Sequence, residues 1–311
     1  MGGLALGNLL LGPVADRHAR PLHLYRWLEV GIAASALGAS LLLLRGDGLF
    51  AWLAPWLAES PDLRTPLRFV VTSALLLVPT TLMGGTLPVV ARALVRSGSA
   101  GRMLGTLYAL NTAGAVAGAL LPDLLLIPSV GLTATVLLAA AGNLCVAAAV
   151  GLVRIPQLPD PVDSDSERLP VPRAPLLLYA LSGFCAMGYE VLWSRMHQHW
   201  SMGQVSSFAV LLATFLVCLS IGSWLTTPLA DRVRRPLVPG ALLLAATGPA
   251  ALAPVLVADR WAGLYNQLLP SIRGVHRAEP GQALALALAN AVYIEAAACL
   301  LLGAAFPFLA A

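Results

Sequence analysis

Thr227-Pro228-Leu229-Ala230-Asp231-Arg232-Val233-Arg234-Arg235-Pro236-Leu237 separates two long apolar runs. The same phrase stands near the start of the chain as Gly12-Pro13-Val14-Ala15-Asp16-Arg17-His18-Ala19-Arg20-Pro21-Leu22. Pro, Ala, Asp, Arg, Arg, Pro and Leu recur in register at a constant offset. Self-similarity over such a distance means two related halves, each with a short charged turn between two hydrophobic helices.

Composition sets the environment of those helices. Hydrophobic residues make up 58% of the 311 and charged residues 11%, against about 25% charged in an ordinary soluble domain. Mean hydropathy is +0.80. A soluble fold of this length has too little interior for so much apolar surface; a bilayer takes it in runs of about 20 residues. All 19 basic residues are arginine, and the net charge is only +4. The placement of the charge therefore matters more than its size. Cys145, Cys185, Cys218 and Cys299 all lie inside apolar runs, without metal-ligand spacing to each other or to a His. They read as small buried hydrophobes.

Outward from the turns, the first apolar run, 3–14, is too short to span: it rises about 18 Å against about 30 Å of hydrocarbon. It has no positive n-region and no cleavage pattern, so it is not a signal peptide. It reads as half of a transmembrane helix. Helices are then expected at 22–44, 69–90, 104–127 and 130–153. The connection 45–68 carries Trp52 and Trp56 and suits the interface. Pro79, Gly84, Gly85 and Pro88 predict a kink in 69–90. Gly114 and Gly118 are spaced to let a neighbouring helix approach closely. The segment 154–173, with its prolines and with Asp160, Asp163, Asp165 and Glu167, reads as a flexible extended linker. Helices follow at 176–193, 205–225, 237–257 and 283–309, with a polar connection over 259–280.

A second echo completes the repeat. Leu82-Met83-Gly84-Gly85-Thr86-Leu87-Pro88 returns as Leu301-Leu302-Gly303-Ala304-Ala305-Phe306-Pro307. The helix at 176 has no partner in the first half. The expected fold class is thus all-α, a polytopic transmembrane bundle of about eight full spans plus an N-terminal half-helix. Its parts are a first half, 1–153, lacking its first helix; a cytoplasmic linker, 154–174; and a second half, 175–311, cut at its C-terminal end.

Charge orients the bundle. With both Asp-Arg turns on one side, that side holds Arg17, Arg20, Arg26, Arg92, Arg96, Arg102, Arg154, Arg168, Arg173, Arg232, Arg234 and Arg235. The other holds Arg45, Arg64, Arg68, Arg195, Arg260, Arg273 and Arg277. The excess places the turns and the linker in the cytoplasm, in a bacterial inner (cell) membrane.

The repeated G-x-x-x-D-R-x-x-R turn resembles the signature loop of the major facilitator superfamily. It departs from it at Ala19 and Arg234, where a Gly is usual, and at Thr227, which replaces the Gly12 of the first copy. An Asp there can cap a neighbouring helix while the Arg groups hold carbonyls and carboxylates at other helix ends. Asp16, Arg17, Arg20, Asp231, Arg232 and Arg235 are therefore candidate latches of one conformation of a rocking transporter; the plain alternative is a turn charged only for topology.

A narrower resemblance is carried by 182–195, SGFCAMGYEVLWSR, with Gly222-Ser223, with Met83-Gly84-Gly85-Thr86-Leu87-Pro88 and with 107–119, LYALNTAGAVAGA. These resemble the membrane part of fused facilitator/spermidine-synthase proteins, over nearly the whole chain. The resemblance implies a transporter-like module handling polyamines or another small solute. Alternatively it implies the membrane anchor of a polyamine aminopropyltransferase whose catalytic domain is absent from this chain, fused or associated. No Gly-rich strand-to-helix loop followed by an acid is present, so no catalytic residue carries over and no cofactor is implied.

Ionisable groups at membrane depth are the remaining candidates. An acid there costs roughly 2.5–3.5 kcal/mol to insert, so it faces a partner or a wet cavity. Glu295, Glu190 and Asn111 form the candidate substrate or proton site; the two acids either attract a cation or proton, or make structural pairs. Glu29 is expected to pair with Arg26 or Arg20. His197 and His199, after Trp193, lack a third ligand nearby and read as part of an interfacial aromatic loop rather than a metal site. Basic residues flank the membrane, which leaves the lipid bilayer and a small cationic solute as partners and excludes nucleic acid.

Overall fold

Apolar runs of this length can satisfy their backbone groups inside a bilayer only by coiling, and nearly every described residue is helical. The computed structural model describes residues 2–44, 61–94, 100–152, 173–200, 206–230, 232–233, 235–268 and 280–310. The helices are α1 (Gly2–Arg17), α2 (Pro21–Leu44), α3 (Pro61–Leu94), α4 (Ala100–Leu121), α5 (Ile127–Leu152), α6 (Arg173–Trp200), α7 (Ser206–Ala230), α8 (Leu237–Leu256), α9 (Ala258–Leu268) and α10 (Pro280–Ala310). A π-helical turn, Pro122–Leu126, joins α4 to α5. Most of the linker and Asp231 lie outside the described residues; 173–174 already belong to α6.

Among the described residues six stretches are long and apolar enough to cross a membrane: Pro21–Leu44, Thr65–Ala93, Ala109–Leu152, Phe208–Ala230, Leu237–Leu256 and Leu284–Leu309. Large apolar side chains point outward along them, among them Phe69, Trp224 and Leu256, each more than 70% exposed (73%, 75% and 83%). Only lipid covers such a surface without cost. The chain is an all-α protein of the multi-pass membrane kind.

The sequence expectations shift in three places. The helix predicted over 69–90 runs instead from Pro61 to Leu94, through Pro66, Pro79 and Pro88. Among the described residues the left-handed backbone break falls at Gly131, φ 83°, just beyond the π-helical turn. The polar connection after α8 contains α9.

The chain divides into two compact units. One comprises Met1–Leu107 and Ser129–Arg168, the other Tyr108–Pro128 and Leu169–Ala311. Tyr108–Pro128, from within the first sequence half, thus groups with the second unit. In the first unit α1 and α2 both pack on α3; in the second, α7, α8 and α6 pack on α10.

Each unit is clasped at a crossing of two helices whose backbones touch. A Cβ at Gly7 would land on the Thr81 carbonyl oxygen, and one at Gly84 on the Leu4 carbonyl oxygen. In the second unit a Cβ at Gly222 would land on the Leu300 carbonyl oxygen, and one at Gly303 on that of Leu219. The offset that aligns Asp16 with Asp231 aligns Gly7 with Gly222 and Leu4 with Leu219. The offset that aligns Pro88 with Pro307 aligns Gly84 with Gly303 and Thr81 with Leu300. The internal repeat is therefore geometric: the same reciprocal glycine–carbonyl contact is built twice. Close backbone approach of this kind holds membrane helices together where no hydrophobic drive acts between them. Gly114 and Gly118, by contrast, face open space.

The charged turns repeat as well. The His18 amide donates to the Ala15 carbonyl and the His23 amide to that of Arg20; the aligned Val233 and Val238 amides donate to Ala230 and Arg235. Ala15 and Ala230 are both buried where the turns begin. One difference between the clasps is chemical. Leu11 packs on Gly85, whereas the aligned Thr226 donates its hydroxyl to the Ala304 carbonyl at 2.9 Å. Thr226→Val is expected to cost about 1 kcal/mol, read as a lowered unfolding midpoint of the purified chain, with no such loss for the isosteric Thr227→Val, whose hydroxyl bonds within its own helix.

Candidate functional site

Along α10 the buried positions Ala287, Asn290, Ala291, Ile294, Glu295, Ala298 and Cys299 recur at helical spacing. They form one stripe against α6, α7 and α8. Trp193 of α6, Val210 and Cys218 of α7 and Ala251 of α8 close over it. Small residues fill most of the stripe, so the neighbouring helices come close and little water can enter.

Glu295 interrupts that stripe midway along α10. It is 1% exposed, and neither carboxylate oxygen has a hydrogen-bond partner. Glu190 on α6, half-buried with one oxygen equally unpartnered, lies within electrostatic reach, as do the Cys218 and Cys299 thiols. Among the described residues no ion pair offsets them: Arg195, five residues beyond Glu190, is exposed. The structure therefore brings Glu190 and Glu295 together. Asn111, the third sequence candidate, has an exposed side chain on α4 and does not join them.

The end of α10 nearer Pro280 carries a second polar group, Asn290 and Tyr293, whose partner Trp261 the sequence reading missed. Trp261 of α9 donates its indole N–H to Asn290 Oδ1 at 2.9 Å and stacks on Tyr293, with centroids 4.2 Å apart and planes 5° apart. The Tyr293 hydroxyl donates to the Pro254 carbonyl at 2.7 Å. Pro254 lies in the last turn of α8, where carbonyls lack an intrahelical donor, so Tyr293 caps that helix. The amphipathic spacing of α9 was the available signal, obscured by its polar composition. Trp261→Phe should keep the stack but remove the hydrogen bond to Asn290 Oδ1. A loss of about 2 kcal/mol is expected, checked by thermal unfolding in detergent.

His197 corrects another expectation. No breaker follows Trp193, so α6 continues to Trp200 and carries His197 inward on the same face as Glu190 and Trp193. The imidazole is fully buried with neither nitrogen hydrogen-bonded. It is not part of an interfacial loop. The side chain of His199 lies outside the described residues. Among the described residues no group of three His, Cys, Asp or Glu is placed to hold a metal ion.

Glu29 forms the contrast that gives Glu295 its meaning. Glu29 is also buried, but the Tyr25 hydroxyl one turn away donates to it. It pairs with neither Arg26 nor Arg20. Arg26 instead lies against Gly151 of α5. The latch residues Asp16, Arg17, Arg20, Arg232 and Arg235 are exposed at the turns.

The alignment that superposes the two clasps places Asn290 opposite Val71 and Glu295 opposite Leu76 of α3. Leu76 is 45% exposed, so the aligned place in the first unit is not the buried one that Glu295 occupies.

Comparison with known proteins adds no assignment: no family model, no curated protein and no solved structure matches this chain.

Proposed function

We propose that the chain is a facilitator-like membrane module that binds a small cationic solute in its second unit and moves it across the bilayer, with Glu295 receiving the positive charge. The observation that carries this reading is the buried, unpartnered carboxylate of Glu295 at the middle of a membrane-crossing helix. A carboxylate there without a counter-charge costs several kcal/mol. A bound cation removes that cost, and Glu190 adds a second negative charge beside it.

The arginine distribution favours the inner membrane of a bacterium, with the Asp-Arg turns and the linker in the cytoplasm. There the turns would latch one state of a rocking pair of units. The resemblance to the membrane part of fused facilitator/spermidine-synthase proteins makes a polyamine the first solute to try. In vesicles reconstituted with the purified chain, uptake of labelled spermidine and of labelled ethylamine is to be followed. Glu295→Gln is expected to cut uptake of the transported cation at least tenfold, on the order of the insertion cost that the lost charge had carried. Glu190→Gln should give a smaller loss. Parental uptake and binding by Glu295→Gln would refute the assignment.

A further inference from the structure

The second unit holds a groove next to these acids. It has a volume of about 260 Å³ between α6 and α8, with Leu302 of α10 at its base. Leu181, Cys185 and Tyr189 form one wall; Ala245 and Gly248 belong to the other. No acid or base is among its lining residues. The Thr247 hydroxyl at its side is already donated to the Leu243 carbonyl, and Ser182 and Tyr189 add hydroxyls to an otherwise apolar wall. Gly248 faces the Tyr189 hydroxyl with room between them: even an added Cβ would remain 3.8 Å away.

Along α10 the groove lies two helical turns from Glu295. Leu302, Cys299 and Glu295 follow one another on a single face of α10, and the rise from Leu302 to Glu295 is about 10 Å. On α6, Tyr189 of the groove wall is adjacent in sequence to Glu190. An apolar groove thus lies within two helical turns of a pair of acids.

Resting on the reading of Glu295 as the cation site, we propose that the second unit takes an amphipathic amine, with its apolar body in the α6–α8 groove and its single ammonium group at Glu190 and Glu295. A polyamine fits this arrangement poorly. Its further ammonium groups would lie in a groove without a carboxylate, where an unpaired charge is expensive.

The test is displacement of labelled octylamine from the purified full chain by methylamine, butylamine, octylamine, putrescine and octanol. Affinity is expected to rise about fourfold for each methylene buried from butylamine to octylamine. Putrescine and octanol should each compete at least tenfold more weakly than octylamine. Ala245→Trp and Leu181→Trp fill the groove from opposite walls at exposed positions. Both should flatten the chain-length dependence while methylamine binding stays within twofold of the parent. Partition into detergent is common to all variants, so the flattening belongs to the groove. Chain-length dependence unchanged in both tryptophan variants, or putrescine matching octylamine, would overturn the groove assignment while leaving the cation site intact. Octanol matching octylamine would make the groove a neutral lipid crevice and overturn the proposal too. Octylamine and methylamine binding unaffected by Glu295→Gln would instead overturn the underlying cation site.

Discussion

Gly303→Ala is expected to destabilise the second unit by at least about 3 kcal/mol, at the upper end of what overpacking costs. The added methyl meets the Leu219 carbonyl. That oxygen belongs to the α7 backbone and cannot rotate aside as a flexible side chain would. Relief requires α7 and α10 to separate, which sacrifices contacts along the whole crossing. Gly222→Ala, Gly7→Ala and Gly84→Ala should behave alike, each against the carbonyl named for it. Gly114→Ala and Gly118→Ala meet open space and should be neutral or stabilising by up to about 1 kcal/mol, since alanine is the better helix former. Thermal unfolding of the six purified variants in one detergent measures the contrast. Equal midpoints across both sets would show that the clasps do not hold the units together.

Glu295→Leu should separate stability from function. Leucine fills a similar volume and removes a buried carboxylate that has no partner. The expected gain in stability is about 2–3 kcal/mol, close to the cost of an acid at membrane depth, with complete loss of cation binding. Such opposite changes are usual where a site carries a group the fold does not need. A destabilised Glu295→Leu would mean that the carboxylate has a structural partner, and the functional reading would fail with it.

These expectations rest on features of unequal legibility. The helical class, the apolar runs and the internal repeat followed from the sequence, because hydropathy and a recurring turn are local properties. The repeat even carried its own clasp: Gly7 and Gly222, like Gly84 and Gly303, align without any structure. Which glycines touch a partner was not local. Gly114 and Gly118 have the spacing that favours close approach, yet nothing lies against them, because contact depends on which helix arrives at that face.

The acids divide the same way. Sequence alone placed Glu29, Glu190 and Glu295 at membrane depth, since each stands within or near an apolar run. Only tertiary structure distinguished them. Glu29 meets Tyr25 on its own helix, one turn away, whereas Glu295 meets small apolar residues, with the half-buried Glu190 in electrostatic reach. His197 and Trp261 were misplaced for a related reason. A helix end is set by weak, competing local preferences, and α6 runs on to Trp200 through a stretch whose polar composition suggested a loop. What the sequence settled was the solvent this chain prefers and the repeat from which it is built. What the fold decided was which buried charge lacks a partner, because that depends on the other helices that close around it.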